Sequence, residues 1–504
     1  MSVTQVPALS DLKAATKFMT ESSASFWVSA GEKRALEVFH TAATKVAAYR
    51  DFLEGQDLDH TRVRTIDQFR ELVPISDRRS HFAGNALERL VTGDVTDAQV
   101  FFMSGGTTGD SLIGATDRET MRSFPGPLAA VLDAQWGIAD PHKKVLMVNA
   151  LSLGAWVGGT YVTAIFTAIS DSFENIAYAG PGADVDRILD IVEAIGMHFD
   201  MIVLISYPTF IKELLRAGEK RDIDWRARAV KIMVSGERMD SKMRLDILEM
   251  ISSPVDHYAL MNQYGSTEMG NPGSETPVAT TIIRLASENS ELCRAIFGED
   301  APLTLLQSNP VGTYVEVVDS KVIGTSGGLM PVVRYSPKDT GRFFGFDEMN
   351  CVLQDHGINL AKALVEHGWH KPVVRWPFLV LGLRADHAVS IYGAKVSVLN
   401  IQDIFSADDR VQSFLLMTDS DGEYTTLMLH IELPRDASLP EDERQALSEH
   451  YARTVFERLL EVNFDYRDAW HIHADAMTPR VHVHDFASGP FEARKGALKH
   501  KGPA

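Results

Sequence analysis

The sequence predicts an α/β protein: a large N-terminal domain in which helices flank a mostly parallel sheet, followed by a small, mobile α+β C-terminal domain. Two observations predict it. First, short apolar runs at Lys144–Val148, Met201–Ile205 and Val230–Val234 are separated by stretches of helical spacing, such as Val185, Ile188, Leu189, Val192 and Ile195. Strands that are apolar throughout and joined by helices imply a sheet covered on both faces and built from parallel crossovers. Second, 504 residues exceed what one hydrophobic core usually organises, so at least two domains are expected.

Taken in order, the first 95 or so residues read as a helical leader with polar breaks such as Pro74-Ile75-Ser76-Asp77. The alternating units follow, with a helix from about Pro208 to Ala217 and further strands at Tyr314–Val318 and Leu379–Leu381. The N-terminal domain is placed at residues 1–384 and the C-terminal lid at 386–504, with the boundary at a Gly-containing turn after an apolar strand. The lid carries runs at Phe414–Met417 and Thr425–His430, then a charged helix from about Pro440 to Val462.

Composition narrows the class of function. No apolar run approaches the length of a bilayer span, and the first 18 residues lack the basic start and apolar core of a secretory leader. Two cysteines, Cys293 and Cys351, suit a reducing, cytoplasmic setting with both thiols free. A net charge of −19 opposes binding to nucleic acid or to an anionic membrane. These bounds fit an enzyme of small molecules, and they allow a homodimer.

Three segments can carry chemistry. Ser104-Gly105-Gly106-Thr107-Thr108-Gly109 directly follows the apolar Val100–Met103. Its glycines let a backbone turn tightly and aim N–H groups at an anion, and its hydroxyls suit phosphate oxygens. The Walker Gly-Lys-Ser/Thr ending is missing, and taken alone the hexamer equally fits a polar hairpin. Within Asn262–Glu268, Glu268 is a hard oxygen donor of the kind Mg²⁺ takes beside substrate phosphates, with Thr267 next to it; taken alone it is a solvated loop acid. Asp339 can accept hydrogen bonds from a ribose diol, or it is simply a turn aspartate after Pro337. Two histidine pairs, His471/His473 and His482/His484, each fall on one face of an expected strand and raise a zinc reading.

In this order the segments resemble the adenylate-forming superfamily of acyl-CoA synthetases, peptide-synthetase adenylation domains and luciferases, and most closely the branch of phenylacetate–CoA ligases. Ser104–Gly109 is similar to that family's phosphate loop, Tyr264–Glu268 to its Tyr-Gly-x-Thr-Glu motif, and Arg334–Asp339 to its Arg-Tyr-x-x-x-Asp segment. Leu381–His387 and Ile391–Gly393 resemble the interdomain hinge and the turn after it, while Tyr49 through Arg79 resembles the helical leader of the branch. The resemblance implies ATP, Mg²⁺ and coenzyme A as partners of a small carboxylic acid that is activated as acyl-AMP. It implies that Thr107 and Thr108 hold the β- and γ-phosphates, Thr267 the α-phosphate and Glu268 the Mg²⁺. Gly236, Glu237 and Tyr264 would frame the adenine with Gly265 and Ser266 beside them, Asp339 and Arg384 would hold the ribose, and Asp386 would be the hinge pivot. A stretch similar to the acyl pocket brings in Trp156, Gly158 and Tyr161, with Phe210 as a further aromatic.

The chain departs from the pattern in places. Ser111 and Leu112 stand where the phosphate loop usually ends in Pro-Lys, Leu383 is an extra hinge residue, and His387 stands where a second acid is common. The basic tail offers both Lys495 and Lys499 as the catalytic lysine, with Lys499 favoured because Lys495 precedes its glycine. Residues 275–308 form a longer, partly helical insertion, and Cys293 stands alone where the branch has metal-binding cysteines. Three readings follow: a ligase with CoA as acceptor, an adenylating enzyme of secondary metabolism with a carrier-protein thiol or an amine as acceptor, and a retired nucleotide- or acyl-binding homologue.

Overall fold

The computed structural model describes residues 12–104, 112–154, 157–237, 239, 241–298, 303–384, 388–401, 404–405, 408, 410–420, 424–434 and 437–494. The chain divides into a larger unit, Met1–Ser104 with Ile113–Ala385, and a smaller one, Gly105–Leu112 with Asp386–Ala504.

In the larger unit, β1 (Ala98–Ser104) and β2 (Leu112–Asp117) pair with each other. A sheet of twelve strands forms the frame. Its parallel part runs in the order β4 (Ile176–Ala179), β3 (Val145–Asn149), β5 (Met201–Ser206), β6 (Ala229–Ser235) and β7 (Leu260–Ser266). The sheet then continues antiparallel through β8 (Gly270–Ser274), β9 (Thr304–Gln307), β14 (Phe378–Arg384), β13 (Asp339–Phe344), β11 (Lys321–Ser326) and β10 (Thr313–Val318), with β12 (Val332–Tyr335) alongside β11. It is therefore a mixed sheet, whose parallel part is where the sequence places its crossovers.

The expected two-sided burial is present in β5. Met201, Val203 and Ile205 join Met147 and Met233 in one core cluster, while Ile202 and Leu204 on the opposite face are also buried. The helix Val185–Ile195 starts where Asp184 accepts a hydrogen bond from the Arg187 amide, and it buries Ile188, Leu189 and Val192, the middle of the expected stripe, while Val185 is half-buried and Ile195 at its end is exposed. The insertion is helical at Pro277–Glu288 and Ser290–Phe297 and packs a second cluster with Phe378 and Trp369. Both cysteines are free, Cys293 buried and Cys351 exposed. Among the described residues no helix is long and apolar enough to cross a membrane.

The leader is helical at Leu12–Glu21, Ala24–Lys45, Ala47–Gly55 and Ile66–Leu72, and Phe39, Tyr49 and Phe69 pack it onto Tyr314 and Val333 of the sheet. His81 lies beneath it, 2% exposed, with neither ring nitrogen hydrogen-bonded. Burial holds its pKa down to about 4, so the ring is neutral in the folded protein. Because the unfolded value is about 6.5, the stability this group contributes is complete above that pH and is lost as pH falls toward 4. Denaturant midpoints recorded from pH 7 to 4 should fall less steeply in His81→Leu than in the wild type; parallel curves would contradict the assignment.

In the smaller unit, β15 (Val389–Ile391) and β16 (Ala394–Val396) form a hairpin whose turn residues Tyr392 and Gly393 both have positive φ, 47° and 82°. β17 (Ser413–Ser420) pairs antiparallel with β18 (Thr425–Glu432), and β18 pairs parallel with β19 (Arg480–His484). The helix Glu441–Val462 buries Leu447, Tyr451, Val455 and Leu459. One expectation is corrected here. His471 belongs to the helix Phe464–Ile472 and His473 is its C-cap, so the pair does not share a strand face. Asn463 nucleates this helix by capping the Tyr466 amide, and Tyr466 and Ala469 bury its inner side.

Candidate active site

The loops after β6 and β7 lie at the carboxyl edge of the parallel strands, where open α/β sheets place their ligands. After β6, Gly236 has φ +86°, and a Cβ there would lie 3.0 Å from the Tyr207 ring, so both backbone and space demand glycine. The Glu237 carboxylate accepts from the Thr209 amide at 3.2 Å and from its hydroxyl at 2.7 Å, which fixes the turn to the first turn of the helix Pro208–Lys220. Ser235 Oγ donates to the Gln263 carbonyl at 3.0 Å and ties this turn to β7. After β7, the Ser266 hydroxyl accepts from the Met269 amide at 3.0 Å and closes the turn that carries Thr267 and Glu268. Gly265 lies against the Gly270 carbonyl in the same turn.

The antiparallel part brings the other components to this turn. Thr313 Oγ1 of β10 donates to the Met269 carbonyl at 2.9 Å, and Tyr264, like Phe343 and Leu381, packs against the cluster of Val315, Val322 and Leu379. Across this packing the Tyr264 hydroxyl donates to Asp339 Oδ2 at 2.5 Å. Asp339 opens β13 directly opposite Arg384 of β14 in the strand register, so the two residues expected to share a ribose are cross-strand neighbours.

Glu268 has two companions that sequence reasoning did not single out. Arg78 Nη1 lies 3.6 Å from Glu268 Oε1, with the two side chains 27% and 10% exposed. Tyr335 faces the same carboxylate; burial foremost, and then the Glu268 charge, pushes its phenol well above the ordinary tyrosine range. Arg78 is delivered there by a chain of local contacts. The Arg334 guanidinium donates to the Arg70 and Val73 carbonyls, each at 2.6 Å, and pins the end of the leader helix. Ser76 then bridges to β12, its amide donating to the Arg334 carbonyl at 2.9 Å and its carbonyl accepting from the Ser336 amide at 2.8 Å. Asp77 and Ser80 cap each other's amides and start the turn Arg78–Phe82. The only signal available in the sequence is that Arg78 belongs to the Pro74–Arg79 segment of the family resemblance.

In the expected acyl region, Gly158 lies in the turn Val157–Tyr161, and Tyr161 stacks obliquely on Phe102 and Phe124 at 5.6 and 5.8 Å. Phe210 is fully buried. Ser104 ends β1, whereas Gly105, Gly106, Thr107, Thr108, Gly109, Trp156, Asp386, Lys495 and Lys499 lie outside the described residues. A separate cavity of about 260 Å³, lined in part by Trp136, Lys231, Trp369 and Lys371, sits beside the amino ends of β6 and β7, away from these loops. In the smaller unit His430 joins His482 and His484, and its Nδ1 is hydrogen-bonded to His484 Nε2 at 2.8 Å. Among the described residues no group of three or more His, Cys, Asp or Glu is arranged to hold a metal ion.

No protein-family model and no curated sequence matches the chain. Solved structures do. A 2-hydroxyisobutyryl-CoA ligase in complex with 2-HIB-AMP and CoA, in its thioesterification state, is similar over 97% of this chain and 90% of its own, at 13% identity and a TM-score of 0.63. The same ligase in its postadenylation state with 2-HIB-AMP matches over 94% of this chain and 89% of its own, at 12% identity and a TM-score of 0.54. Its open conformation matches over 96% and 91%, at 12% identity and a TM-score of 0.53.

Proposed function

We propose, from a fold shared with the adenylate-forming ligases, that this chain uses ATP to activate a small carboxylic acid as its acyl-adenylate and then passes the acyl group to coenzyme A. The observation that carries the proposal is the junction of two acids at one edge of the sheet, Asp339 held by Tyr264 and Glu268 faced by Arg78. One acid suits a ribose diol and the other a phosphate-bound cation.

In the reaction, a carboxylate oxygen attacks the α-phosphorus, the bond to the bridging oxygen breaks, and pyrophosphate leaves. No protein nucleophile is needed, and catalysis consists of positioning and electrostatics. Asp339, oriented by the Tyr264 hydroxyl and flanked by Arg384, accepts from the ribose hydroxyls. The Gly236–Glu237 turn and the Tyr264 ring border the adenine, and Thr267 reaches the α-phosphate. The loop Ser104–Gly109 offers amides and the Thr107 and Thr108 hydroxyls to the outer phosphates. The Glu268 carboxylate fits Mg²⁺, a hard ion that is commonly held by one or two carboxylates while phosphates and water fill its other positions. When bound, the ion neutralises phosphate charge. The stretch with Trp156, Gly158 and Tyr161 borders the acyl group, by its resemblance to the phenylacetate branch. In the basic tail, Lys499 or Lys495 supplies the cation for the adenylation step, and Asp386 is the pivot of the C-terminal unit.

The test is exchange of labelled pyrophosphate into ATP over a panel of aliphatic and aromatic acids, without and then with CoA. The expected result is acid-dependent exchange without CoA, and AMP plus a thioester once CoA is added. Absence of exchange over the whole panel would overturn the proposal. Exchange without thioester formation would instead assign the acceptor to an amine or a carrier-protein thiol.

A further inference from the structure

We propose that Arg78 is a phosphate-binding residue, whose guanidinium engages the β- and γ-phosphates of ATP and holds the departing pyrophosphate. This rests on the adenylation reading above and adds to that site a cation for the outer phosphates, distinct from the tail lysine of the adenylation step. The hexamer Ser104–Gly109 contains no lysine or arginine, and neither do the next three residues, Asp110, Ser111 and Leu112. Glu268, only 10% exposed, adds a negative charge where a polyphosphate must bind. A polyphosphate beside that carboxylate is repelled by it, and alongside a bound divalent cation a fixed positive charge at the same point offsets the repulsion. Arg78 is that charge.

The geometry suits the role. At 3.6 Å, the contact between Arg78 and Glu268 is longer than a hydrogen bond, so the pair is held by charge and is not locked as a bidentate fork. A planar guanidinium presents two parallel N–H donors that match two non-bridging phosphate oxygens. Its backbone is also set in advance. The Asp77–Ser80 cap fixes the turn that begins at Arg78, the Ser76 ladder to β12 fixes the residues before it, and Arg334 pins the helix upstream. A side chain carried on a turn fixed at three points loses little freedom on binding. As the bond between the α-phosphorus and its bridging oxygen breaks, negative charge collects on the β-phosphate; Arg78 meets that charge, and no proton moves.

The experiment compares wild type, Arg78→Gln and Arg78→Lys. Binding of ATP, of inorganic pyrophosphate and of AMP is measured by calorimetry with Mg²⁺ present, and thioester formation is measured from supplied acyl-adenylate and CoA. Arg78→Gln should weaken ATP and pyrophosphate by about tenfold to a hundredfold, the cost of one charge-assisted contact, and leave AMP within about twofold. Thioester formation from the adenylate should persist, and Arg78→Lys should recover part of the lost affinity. Unchanged pyrophosphate affinity in Arg78→Gln would overturn the proposal. So would an equal loss of AMP binding, because that would make Arg78 a support for the whole loop. If the wild type binds pyrophosphate yet shows no acid-dependent exchange, the adenylation reading fails, while the comparison of pyrophosphate affinities still decides the role of Arg78.

Discussion

Replacing Glu268 by glutamine is expected to lower acid-dependent pyrophosphate exchange by about a hundredfold or more, the scale on which loss of one preorganised electrostatic group acts. The substitution keeps the shape of the side chain and its place on the turn closed by Ser266 and Met269, so it removes charge and little else. Two consequences follow from that one charge. The site loses its hard anionic oxygen donor for a divalent cation, and Arg78 loses the carboxylate that faces it. Calorimetry separates them. Binding of Mg·ATP should weaken strongly, while binding of ATP in the presence of a chelator should hold or improve, because the repulsion between this carboxylate and the phosphates is gone. Wild-type exchange rates, or equal losses with and without the metal, would remove Glu268 from the cation site.

Replacing Arg334 by leucine is expected to cost the larger unit about 3–5 kcal/mol, the range for breaking a buried ion pair from one side. Arg334 and Glu316 are almost completely buried and lie 3.3 Å apart, yet neither Nε nor Oε2 forms a hydrogen bond, so the pair is held by charge alone. Burial raises the Glu316 pKa despite the opposing pull of Arg334 and Arg70, and removing Arg334 would leave this carboxylate without its nearest charge. The carbonyls of Arg70 and Val73 lose their donor in the same step. Arg334 is also held at φ +44°, a conformation that a side-chain-bearing residue keeps only when its surroundings enforce it. Denaturant unfolding should show the loss, and adding Glu316→Leu to Arg334→Leu should restore part of it. If the double variant is no more stable than the single, the two charges are not coupled.

How much the sequence discloses depends on the range of the forces involved. The parallel strands are legible because burial on both faces leaves a contiguous apolar run, as in Met201–Ile205, and the helix Val185–Ile195 because its buried stripe repeats at helical spacing. The helix Phe464–Ile472 was not, since His-Ile-His imitates a strand and the deciding contacts are a cap at Asn463 and the burial of Tyr466. Asp339 and Tyr264 are recognisable as parts of separate motifs, but their hydrogen bond depends on how the antiparallel strands fold back, which no local pattern encodes. Arg78 is the extreme case. Its meaning comes entirely from Glu268, far along the chain, and from the Ser76 ladder that brings the two together.

If Arg78 binds phosphate as proposed, that ladder makes the leader a partner in ligand affinity. Phe39, Tyr49 and Phe69 are packed on Tyr314 and Val333, Arg334 grips the end of the last leader helix, and Ser76 continues directly into the turn bearing Arg78. Any molecule that draws on Arg78 therefore draws on the folding free energy of the helices behind it, and tightens them in return by thermodynamic reciprocity. With Arg78 in the proposed role, the leader helices from Leu12 to Leu72 act as an energetic reservoir for the cleft.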